Sequence, residues 1–554
     1  MIDLIEVSVI ILIFAFVIAL SRLLAPYVTR VFACAPSKLD RVLNPIENFT
    51  YKLGGVDPAH KMDWKEYVLA LMLLNAFQMA IAFVIFMFQD KLPLNPQGFP
   101  GLTWDLAFMQ VISFATNTNL QHYNGEVTLS YLSQMGAVQF LQFTSAASGL
   151  CAAVAMVRGF TAGAKDLGNF YVDFVRSLTR ILLPMCLIAA LISVWLGVPQ
   201  TLSGYTTLKT VEGVTQTILV GPVASLVSIM QIGTNGGGYY GANSAYPFQN
   251  PNPASDIFQI ILMLLMPTVL CFVYGEILGK RKESRPILWG SYGLFAVDLA
   301  IAFLPTPLLG LNTGMEVRFG GFMSSFWTVV TTAVTTGSVN SALASNHPLV
   351  ILAAFIGMLI QSTPGGKGCG LMYMVMYVVI TVFVVGLMSG RTPEYLGMKI
   401  TGRDMIIVMA AFLVHPIIIL IPTFVAYATG AVSAIGLGTN SVGFTQILYE
   451  YVSAAANNGS DFLGATANTP FFNISTALVM FAGRYAPIDL LIMLGGTMIG
   501  RKRSAEVGLK TDSITFSIVL VGSTLILVAL TFFPFLAIGP ILEYFKGFTT
   551  GYGY

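Results

Sequence analysis

Four segments of the sequence join a short apolar run to a run of Thr, Asn, Ser and Gly. They read FMQVISFATNTNLQHY from Phe108, LVSIMQIGTNGGGYY from Leu226, FWTVVTTAVTTGSVNS from Phe326 and ILYEYVSAAANNGSDF from Ile447. The polar runs supply neutral carbonyl, amide and hydroxyl oxygens and contain no ring of Asp or Glu. Neutral oxygens can replace the water shell of potassium, whereas hard divalent ions favour carboxylates. The residue types therefore favour a potassium site.

The polar runs recur at long and similar intervals. Aligned with one another, they are Thr116–Thr118, Thr234–Gly236, Thr335–Gly337 and Asn457–Gly459, with spacings of 118, 101 and 122 residues. This period, with an apolar span on each side of each loop, predicts a repeat of outer helix, re-entrant loop and inner helix. One such loop is equally typical of an external turn rich in Gly and Asn, but four in register favour a shared site.

Each apolar run is short enough to be a half-helix that dips into a membrane. The C-terminal end of a helix carries partial negative charge, so half-helices that point toward the centre favour a cation there. Non-helical backbone at that depth is tolerated where it is buried in protein or lines a watery cavity. The residues that follow can then direct carbonyl oxygens at the ion, and glycine permits the positive φ that such a turn needs.

The composition is that of a polytopic membrane protein. Of 554 residues, 55% are apolar and 10% are charged, with a mean hydropathy of +0.76, whereas soluble domains carry about 25% charged residues. Hydropathy predicts ten spans, the seventh of them interrupted. They are Leu4–Leu24, Tyr67–Phe88, Leu132–Val157, Ile181–Val198, Phe258–Leu278, Ile287–Leu304, Leu349–Leu387, Met405–Ala426, Thr476–Ile499 and Ile514–Ile538.

The basic residues are distributed unequally between the two sides of these spans. Of the 28 Lys and Arg residues, 22 fall in the connections after the first, third, fifth, seventh and ninth spans. The other side holds Lys91, Lys209, Arg318 and Lys546. Because basic connections stay in the cytoplasm, we expect both termini on the outer side. The net charge of +2 gives no general attraction to nucleic acid.

The seventh span is interrupted by STPGGKGCG, which runs from Ser362 to Gly370. Its central residues cannot hold a regular helix in lipid; they are Pro364, Gly365, Gly366, Lys367 and Gly368. A simple kink is one interpretation. The other is a flexible plug, or gate loop, below the four loops, where the cationic Lys367 would compete electrostatically with an ion.

Further charges fall inside the predicted spans. Arg484 lies in the ninth span, where a buried charge usually marks function or a specific pair, and it is expected to hold carbonyls of the broken loop or to pair with Asp489. Asp298 and Glu276 are weaker candidates for a role in ion passage. His122, which closely follows the first polar run, is not expected to bind a metal but is placed to tune that loop.

Motifs of catalysis are absent from the sequence. It contains no GxxxxGK[ST] phosphate loop, no HExxH, no GxSxG and no DKTGT-type segment. Its five cysteines form neither a CxxC nor a His-paired metal pattern. We therefore expect a non-catalytic chain that has no covalently bound cofactor and handles potassium as a substrate.

The loop strings TNTNLQHYNGE, GTNGGGYYGANSAYPFQNP, TTGSVNS and AAANNGS, with GRTPEYLG from Gly390, carry a family resemblance. The chain resembles the potassium-binding subunit of the bacterial Kdp potassium-transporting ATPase over nearly its whole length. That resemblance implies high-affinity uptake of potassium across the bacterial inner membrane. It also implies a separate P-type ATPase subunit that hydrolyses ATP, two small accessory membrane subunits, and external termini.

The resemblance further implies a potassium selectivity filter with four unequal walls. The implied filter residues are Asn117, Thr118, Asn119, Gln121, Thr234, Asn235, Gly236, Gly237, Gly238, Thr336, Gly337, Asn457, Asn458 and Gly459. In the alignment above, the first wall has Thr118 where the others have glycine. The third wall is rich in Thr, whereas the family more often has Cys-Gly there.

The expected architecture is an all-α polytopic membrane protein with ten transmembrane helices and four fused repeats of the potassium-channel-like superfamily. The repeats are expected at 67–158, 181–280, 287–390 and 405–500, between additional helices at 1–30 and 514–538. One alternative is a stand-alone Trk/Ktr-like potassium transporter driven by the membrane potential. Another is a scaffold for some other membrane complex, which the four aligned loops disfavour.

Overall fold

Long apolar helices dominate the computed structural model, which describes residues 4–304, 315–503 and 509–550. Within these residues, ten helices are long and apolar enough to cross a membrane, as the hydropathy predicted. They are Leu4–Phe32, Trp64–Met87, Ser133–Gly159, Phe170–Trp195, Pro253–Ile277, Arg281–Phe303, Cys369–Met388, Gly402–Ala428, Pro470–Met498 and Ile514–Lys546.

Four of these helices form the centre of the molecule, and we call them the inner helices. In the most apolar 18-residue stretch of each inner helix, 61% to 89% of the residues are buried. In the same stretch of the other six spans, 22% to 44% are buried. Apolar residues on the other six helices therefore remain at the surface, where lipid can cover them. The inner helices are Ser133–Gly159, Pro253–Ile277, Cys369–Met388 and Pro470–Met498.

Four shorter helices end at the predicted polar runs, and we call them the half-helices. At about 1.5 Å of rise per residue, 10 to 15 residues span roughly 15–22 Å, which is less than a bilayer. Each stops within one residue of the point where Thr, Gly or Asn replaces the apolar run. They are Trp104–Ala115, Val223–Ile232, Gly320–Ala333 and Ser441–Ala455.

The interruption of the seventh span is confirmed. The chain forms one helix at Pro348–Ile360 and another at Cys369–Met388, separated by a non-helical gate loop at 361–368. Gly365 and Gly368 adopt φ of +80° and +86°, a backbone region that residues with a Cβ rarely enter. Gln361, with φ of +57°, ends the first helix, and the glycines allow the loop to turn so that the second helix begins after Gly368.

The fourth span begins earlier than the hydropathy predicted, at Phe170 instead of Ile181. Its first turns are charged, but the charges are paired. Asp173 accepts two hydrogen bonds from Arg158, at 2.5 and 2.9 Å. Arg180 donates to Glu47 at 2.6 and 2.9 Å. Arg158 is 15 residues from Asp173, whereas Glu47 is 133 residues from Arg180, so the length of the helix depends in part on long-range contacts.

An amphipathic helix, Asp40–Leu53, lies at the basic end of the molecule. Its buried Glu47 docks it onto the fourth span through Arg180. Burial alone would raise the pKa of Glu47, but the hydrogen bonds from Arg180 and Thr179 and the charge of Arg180 hold that pKa below its ordinary value. The ion pair therefore fixes this helix against the membrane domain.

The remaining elements are short connections. Strands Thr206–Lys209 and Thr215–Ile218 form an antiparallel hairpin, with Thr206 opposite Ile218. Strands Glu394–Tyr395 and Met398–Lys399 pair within the family string that follows the broken helix. Short helical turns lie at Gln89–Lys91, Gly125–Thr128, Asn243–Ala245, Arg281–Glu283, Leu343–Ser345, Ala431–Ala434 and Gly464–Ala467.

Candidate ion-selectivity site

The four loops that follow the half-helices share one backbone conformation. In each, the middle residue donates its N–H to the carbonyl five residues earlier, at 2.8 to 2.9 Å. The residue before it and the residue after it both have positive φ. The middle residues are Thr118, Asn235, Thr336 and Asn458. Four separate sequences therefore make the same turn at the same place.

This shared conformation corrects the alignment of the first repeat by one residue. The position that is glycine in the other three loops is occupied by Asn119, with φ of +59°, and not by Thr118. The three glycines have φ between +86° and +96°; they are Gly236, Gly337 and Gly459. Asn enters the left-handed region more readily than other residues with a Cβ. The first wall thus differs from the others by an Asn at this position.

The four loops meet in a closed ring, in the order of the chain. A Cβ on Gly236 would lie 1.7 Å from the carbonyl oxygen of Thr336. At the next two corners, a Cβ on Gly337 would lie 1.9 Å from Asn458 O, and one on Gly459 would lie 2.0 Å from Thr118 O. The fourth corner is closed differently, because Asn119 Nδ2 donates to Asn235 O at 2.9 Å. Glycine is required at three corners because the backbones touch there.

Side-chain amides of the loop residues donate hydrogen bonds to neighbouring loops and half-helices. Asn117 Nδ2 donates to Thr234 O at 2.7 Å. Asn457 Nδ2 donates to Thr118 Oγ1 at 2.9 Å, and Asn458 Nδ2 donates to Thr331 O at 3.0 Å. These N–H groups are thus committed to holding the ring together. A backbone carbonyl oxygen keeps a second lone pair even where it accepts such a bond, so the carbonyls of the ring can still coordinate an ion.

Gln121 braces the second wall with both ends of its amide group. Its Nε2 donates to Gly238 O at 3.2 Å, and its Oε1 accepts from Gly238 N at 2.9 Å. The neighbouring Gly237 O accepts from Gln142 Nε2 at 2.9 Å. Gln142 was not among the predicted site residues, although a Gln inside a predicted span was a signal that could have identified it.

His122 joins the first loop to the fourth repeat. Its Nε2 lies 3.1 Å from Glu450 Oε1, on the fourth half-helix, and its Nδ1 lies 2.7 Å from Asn473 Oδ1. Asn473 Nδ2 in turn donates to Asp105 Oδ2 on the first half-helix, at 2.8 Å. His122, Glu450 and Asn473 are fully buried. This network fixes the contact between the first and fourth walls; that His122 tunes its loop stays a prediction.

The gate loop lies directly against the ends of two half-helices. Lys367 N donates to Thr234 Oγ1 at 3.0 Å, and Lys367 Nζ donates to Ile232 O at 3.0 Å. Gly365 N and Thr363 Oγ1 both donate to Ala333 O, at 2.9 and 3.1 Å. The cation of Lys367 therefore occupies the negative end of the second half-helix, where a transported ion would also be favoured.

Arg484 lies between inner helices and not beside Asp489. Its Nη2 donates to Ser145 O at 3.2 Å, and its Nη1 donates to Cys369 Sγ at 2.9 Å. Among the ion pairs of the described residues, none joins Arg484 to Asp489, so that alternative is wrong. Arg484 instead ties the first inner helix to the first residue of the helix that follows the gate loop.

The two weaker acidic candidates do not join the ring. Glu276 pairs with Arg281 at 2.8 Å, at the basic end of the molecule. Asp298 is fully buried, and its carboxylate faces Gly357 of the helix before the gate loop. In the described part of the chain, three or more His, Cys, Asp or Glu residues nowhere come together as a metal site. The ring therefore offers neutral oxygens.

These features define a class of protein, the polytopic membrane proteins in which four half-helices and their loops surround one central site. Among solved structures, the potassium transporter TrkH from Vibrio parahaemolyticus is similar, with a TM-score of 0.55 and 16% identity over 87% of this chain and 98% of that one. That likeness shows the channel-like fold. The family model of the potassium-transporting ATPase A subunit, KdpA, matches residues 11–545, and the chain belongs to this family.

Curated relatives match over almost the full length of both chains, and each is named potassium-transporting ATPase potassium-binding subunit. The protein from Caldanaerobacter subterraneus subsp. tengcongensis is 43% identical over 96% of this chain and 97% of its own. The one from Alicyclobacillus acidocaldarius is 45% identical over 94% and 95%. The one from Gloeobacter violaceus is 43% identical over 95% and 96%.

Proposed function

We propose that this chain binds potassium in the ring of four loops and passes it across the membrane, as the potassium-binding subunit of an ATP-driven uptake complex. The observation that carries the proposal is the closed ring, in which four equivalent turns meet, backbone to backbone at three corners and through the side chain of Asn119 at the fourth. A potassium ion there would exchange its water shell for carbonyl oxygens at the ends of four helix dipoles. The names of the relatives, at 43% to 45% identity, support the same substrate.

Selectivity depends on how firmly the carbonyls are held. The amides of Asn117, Asn457 and Asn458 brace neighbouring loops, and Gln121 braces Gly238. In this proposal, the predicted filter residues act in two roles. Backbone oxygens coordinate the ion, and side chains fix the distances between the four walls.

Passage beyond the filter requires the gate loop to move. Lys367 lies against Ile232, at the end of the second half-helix, and presents a positive charge on the route toward the basic side. In this proposal, withdrawal of the loop removes that charge and opens the path. Arg484 contacts Cys369 just beyond the loop, so it is placed to link the movement to the inner helices.

Energy for uphill transport comes from a partner, because the chain has no nucleotide-binding or phosphorylation motif. We assign ATP hydrolysis to a P-type ATPase subunit, with two small accessory membrane subunits, in the bacterial inner membrane. Both termini then face the outer side, and the repeats follow the predicted ranges, except that the second repeat begins with the helix at Phe170 and not at 181. The alternative, a Trk/Ktr-like transporter driven by membrane potential, shares the fold but lacks the support of the close relatives.

The test uses the chain expressed from its native operon and purified without disrupting its complex. We expect an ATPase subunit to co-purify, with ATP hydrolysis that is stimulated by potassium and lost in a filter variant. The same filter variant should retain the partner, which separates loss of ion binding from loss of assembly. If instead the purified chain alone accumulates potassium in liposomes under an imposed membrane potential, the stand-alone alternative is correct.

A further inference from the structure

A cleft of about 400 Å³ opens at the basic end of the molecule, apart from the ring of loops. It lies between the first helix, Leu4–Phe32, the end of Pro253–Ile277 and the start of Ser284–Phe303. The proposed function uses none of the residues that line it. The polar and aromatic lining consists mainly of Arg22, Glu276, Arg281, Lys282, Arg285 and Trp289.

The lining carries more positive charge than the chain itself neutralises. Glu276 forms an ion pair with Arg281, at 2.8 Å. Arg22, Lys282 and Arg285 take part in none of the ion pairs formed by the described residues. Three uncompensated cations around one cleft repel one another. An anion with several acceptor oxygens, such as a phosphate group, would relieve that repulsion.

The depth of the cleft in the membrane follows from an aromatic contact between the first helix and the helix Ser284–Phe303. The ring of Phe14 packs against Tyr292 at 5.8 Å, near the middle of both apolar helices. Arg22 is eight residues beyond Phe14, and Arg285 is seven residues before Tyr292. Both therefore lie roughly 11–12 Å from that contact along their helices. The half-thickness of the hydrocarbon core is about 15 Å, so the long Arg side chains reach the headgroup level.

The rim of the cleft faces lipid. Trp289 is 54% exposed and lies one helical turn from the exposed Arg285. Leu23, beside Arg22 on the first helix, is 74% exposed. Trp is enriched at the membrane–water interface, where its ring meets headgroups and upper acyl chains. A soluble anion would use the charges alone, whereas a phospholipid also uses the apolar rim.

We propose that this headgroup cleft binds the phosphate of an anionic phospholipid from the leaflet on the basic side, with the acyl chains lying along the first helix and Trp289. Basic pockets between membrane helices on the cytoplasmic side are suited to acidic headgroups. The bound lipid joins the first helix to the helices of the second and third predicted repeats. This inference does not depend on the potassium filter.

The test uses the full chain, in neutral micelles, and the native fluorescence of Trp289. Brominated phosphatidylglycerol is titrated as the quencher, and the contribution of Trp289 is taken as the difference from a Trp289→Phe variant. We expect saturable quenching by phosphatidylglycerol. In the double variant Arg22→Gln, Arg285→Gln, the half-saturating concentration should rise about 30-fold, since each charge is worth roughly 1 kcal/mol. Lys282→Gln alone should raise it about 5-fold.

The matched control is Lys52→Gln, Lys61→Gln, which removes two exposed charges from the same side but outside the cleft. We expect no change in this control. Three results would overturn the proposal: equal weakening by the control, which means diffuse attraction to the surface; equal quenching by brominated phosphatidylcholine; or displacement by millimolar inorganic phosphate, which means a soluble-anion site. Potassium binding, measured on every variant, verifies that the fold is intact.

Discussion

Replacing Gly236 by alanine tests the ring at its closest corner. A Cβ at this position would lie 1.7 Å from Thr336 O, on the neighbouring wall. Real Cβ atoms do not approach other atoms closer than about 3.0 Å, so the carbonyl has to move by roughly 1.3 Å or the second loop has to withdraw. Neither group is a flexible side chain. The substitution therefore moves backbone that faces the ion.

The expected loss follows from the strength of contacts between carbonyl oxygens and a charge. Hydrogen bonds to charged groups contribute about 1.5–3 kcal/mol, and we take this as the scale for one misplaced carbonyl. Losing 2–3 kcal/mol weakens potassium binding by roughly 30- to 150-fold. Rubidium, which is larger, should lose less than potassium when the ring is forced apart. The ratio of the two affinities should thus change along with the affinity itself.

Gly430→Ala is the matched control for Gly236→Ala. Gly430 also has positive φ, at +74°, but nothing lies within 4 Å of the position of its Cβ. In both variants, placing alanine in a left-handed conformation destabilises the fold by about 1–2 kcal/mol. Only Gly236→Ala should alter the potassium and rubidium affinities, measured by isothermal titration on the purified complex. Equal affinities in the two variants would refute the assignment of this corner to the filter.

Three further predictions concern the surroundings of the filter. Glu450→Ala should leave the Nε2 atom of His122 without its buried partner, at a cost of about 1–3 kcal/mol, and lower potassium-over-rubidium selectivity more than Glu450→Gln does; competition binding measures this. Gly368→Ala, whose Cβ would lie 2.0 Å from Gly149 O, should slow potassium flux while binding survives; tracer flux beside equilibrium binding decides. Charge reversal at Arg391, Lys399 or Arg403, on the segment after the broken helix, should uncouple ATP hydrolysis from transport while selectivity stays unchanged. An unaltered ratio of ATP hydrolysed to potassium transported would contradict this.

Much of the fold could be predicted because a membrane restricts what a sequence can do. Apolar stretches of about 20 residues have few alternatives to spanning helices, so the ten spans were identified correctly. One proline and three glycines within five residues do not hold a regular helix in lipid, so the break before Cys369 was also identified. The four loops were recognised because their residue types must satisfy backbone at membrane depth. All these are local requirements, and each is met within one segment.

The register of the first loop could not be decided from residue types. Thr and Asn alternate in the first polar run, so a shift of one residue leaves the pattern almost unchanged. The structure places Asn119 at the glycine position because it is Asn119 that has positive φ and reaches Asn235 O. That contact joins residues 116 positions apart.

The sequence alone therefore determined that this is a ten-span membrane protein with four loops of neutral oxygens and a broken helix. Only the tertiary structure decided which groups meet: His122 contacts Glu450 across 328 residues, and Arg484 contacts Cys369 and not Asp489. It also placed Arg22 in one cleft with the start of the helix at Ser284. The physical reason is the distance along the chain over which each effect acts. Hydropathy and backbone conformation are set by neighbours in sequence, whereas partners of buried polar groups are set by how helices pack.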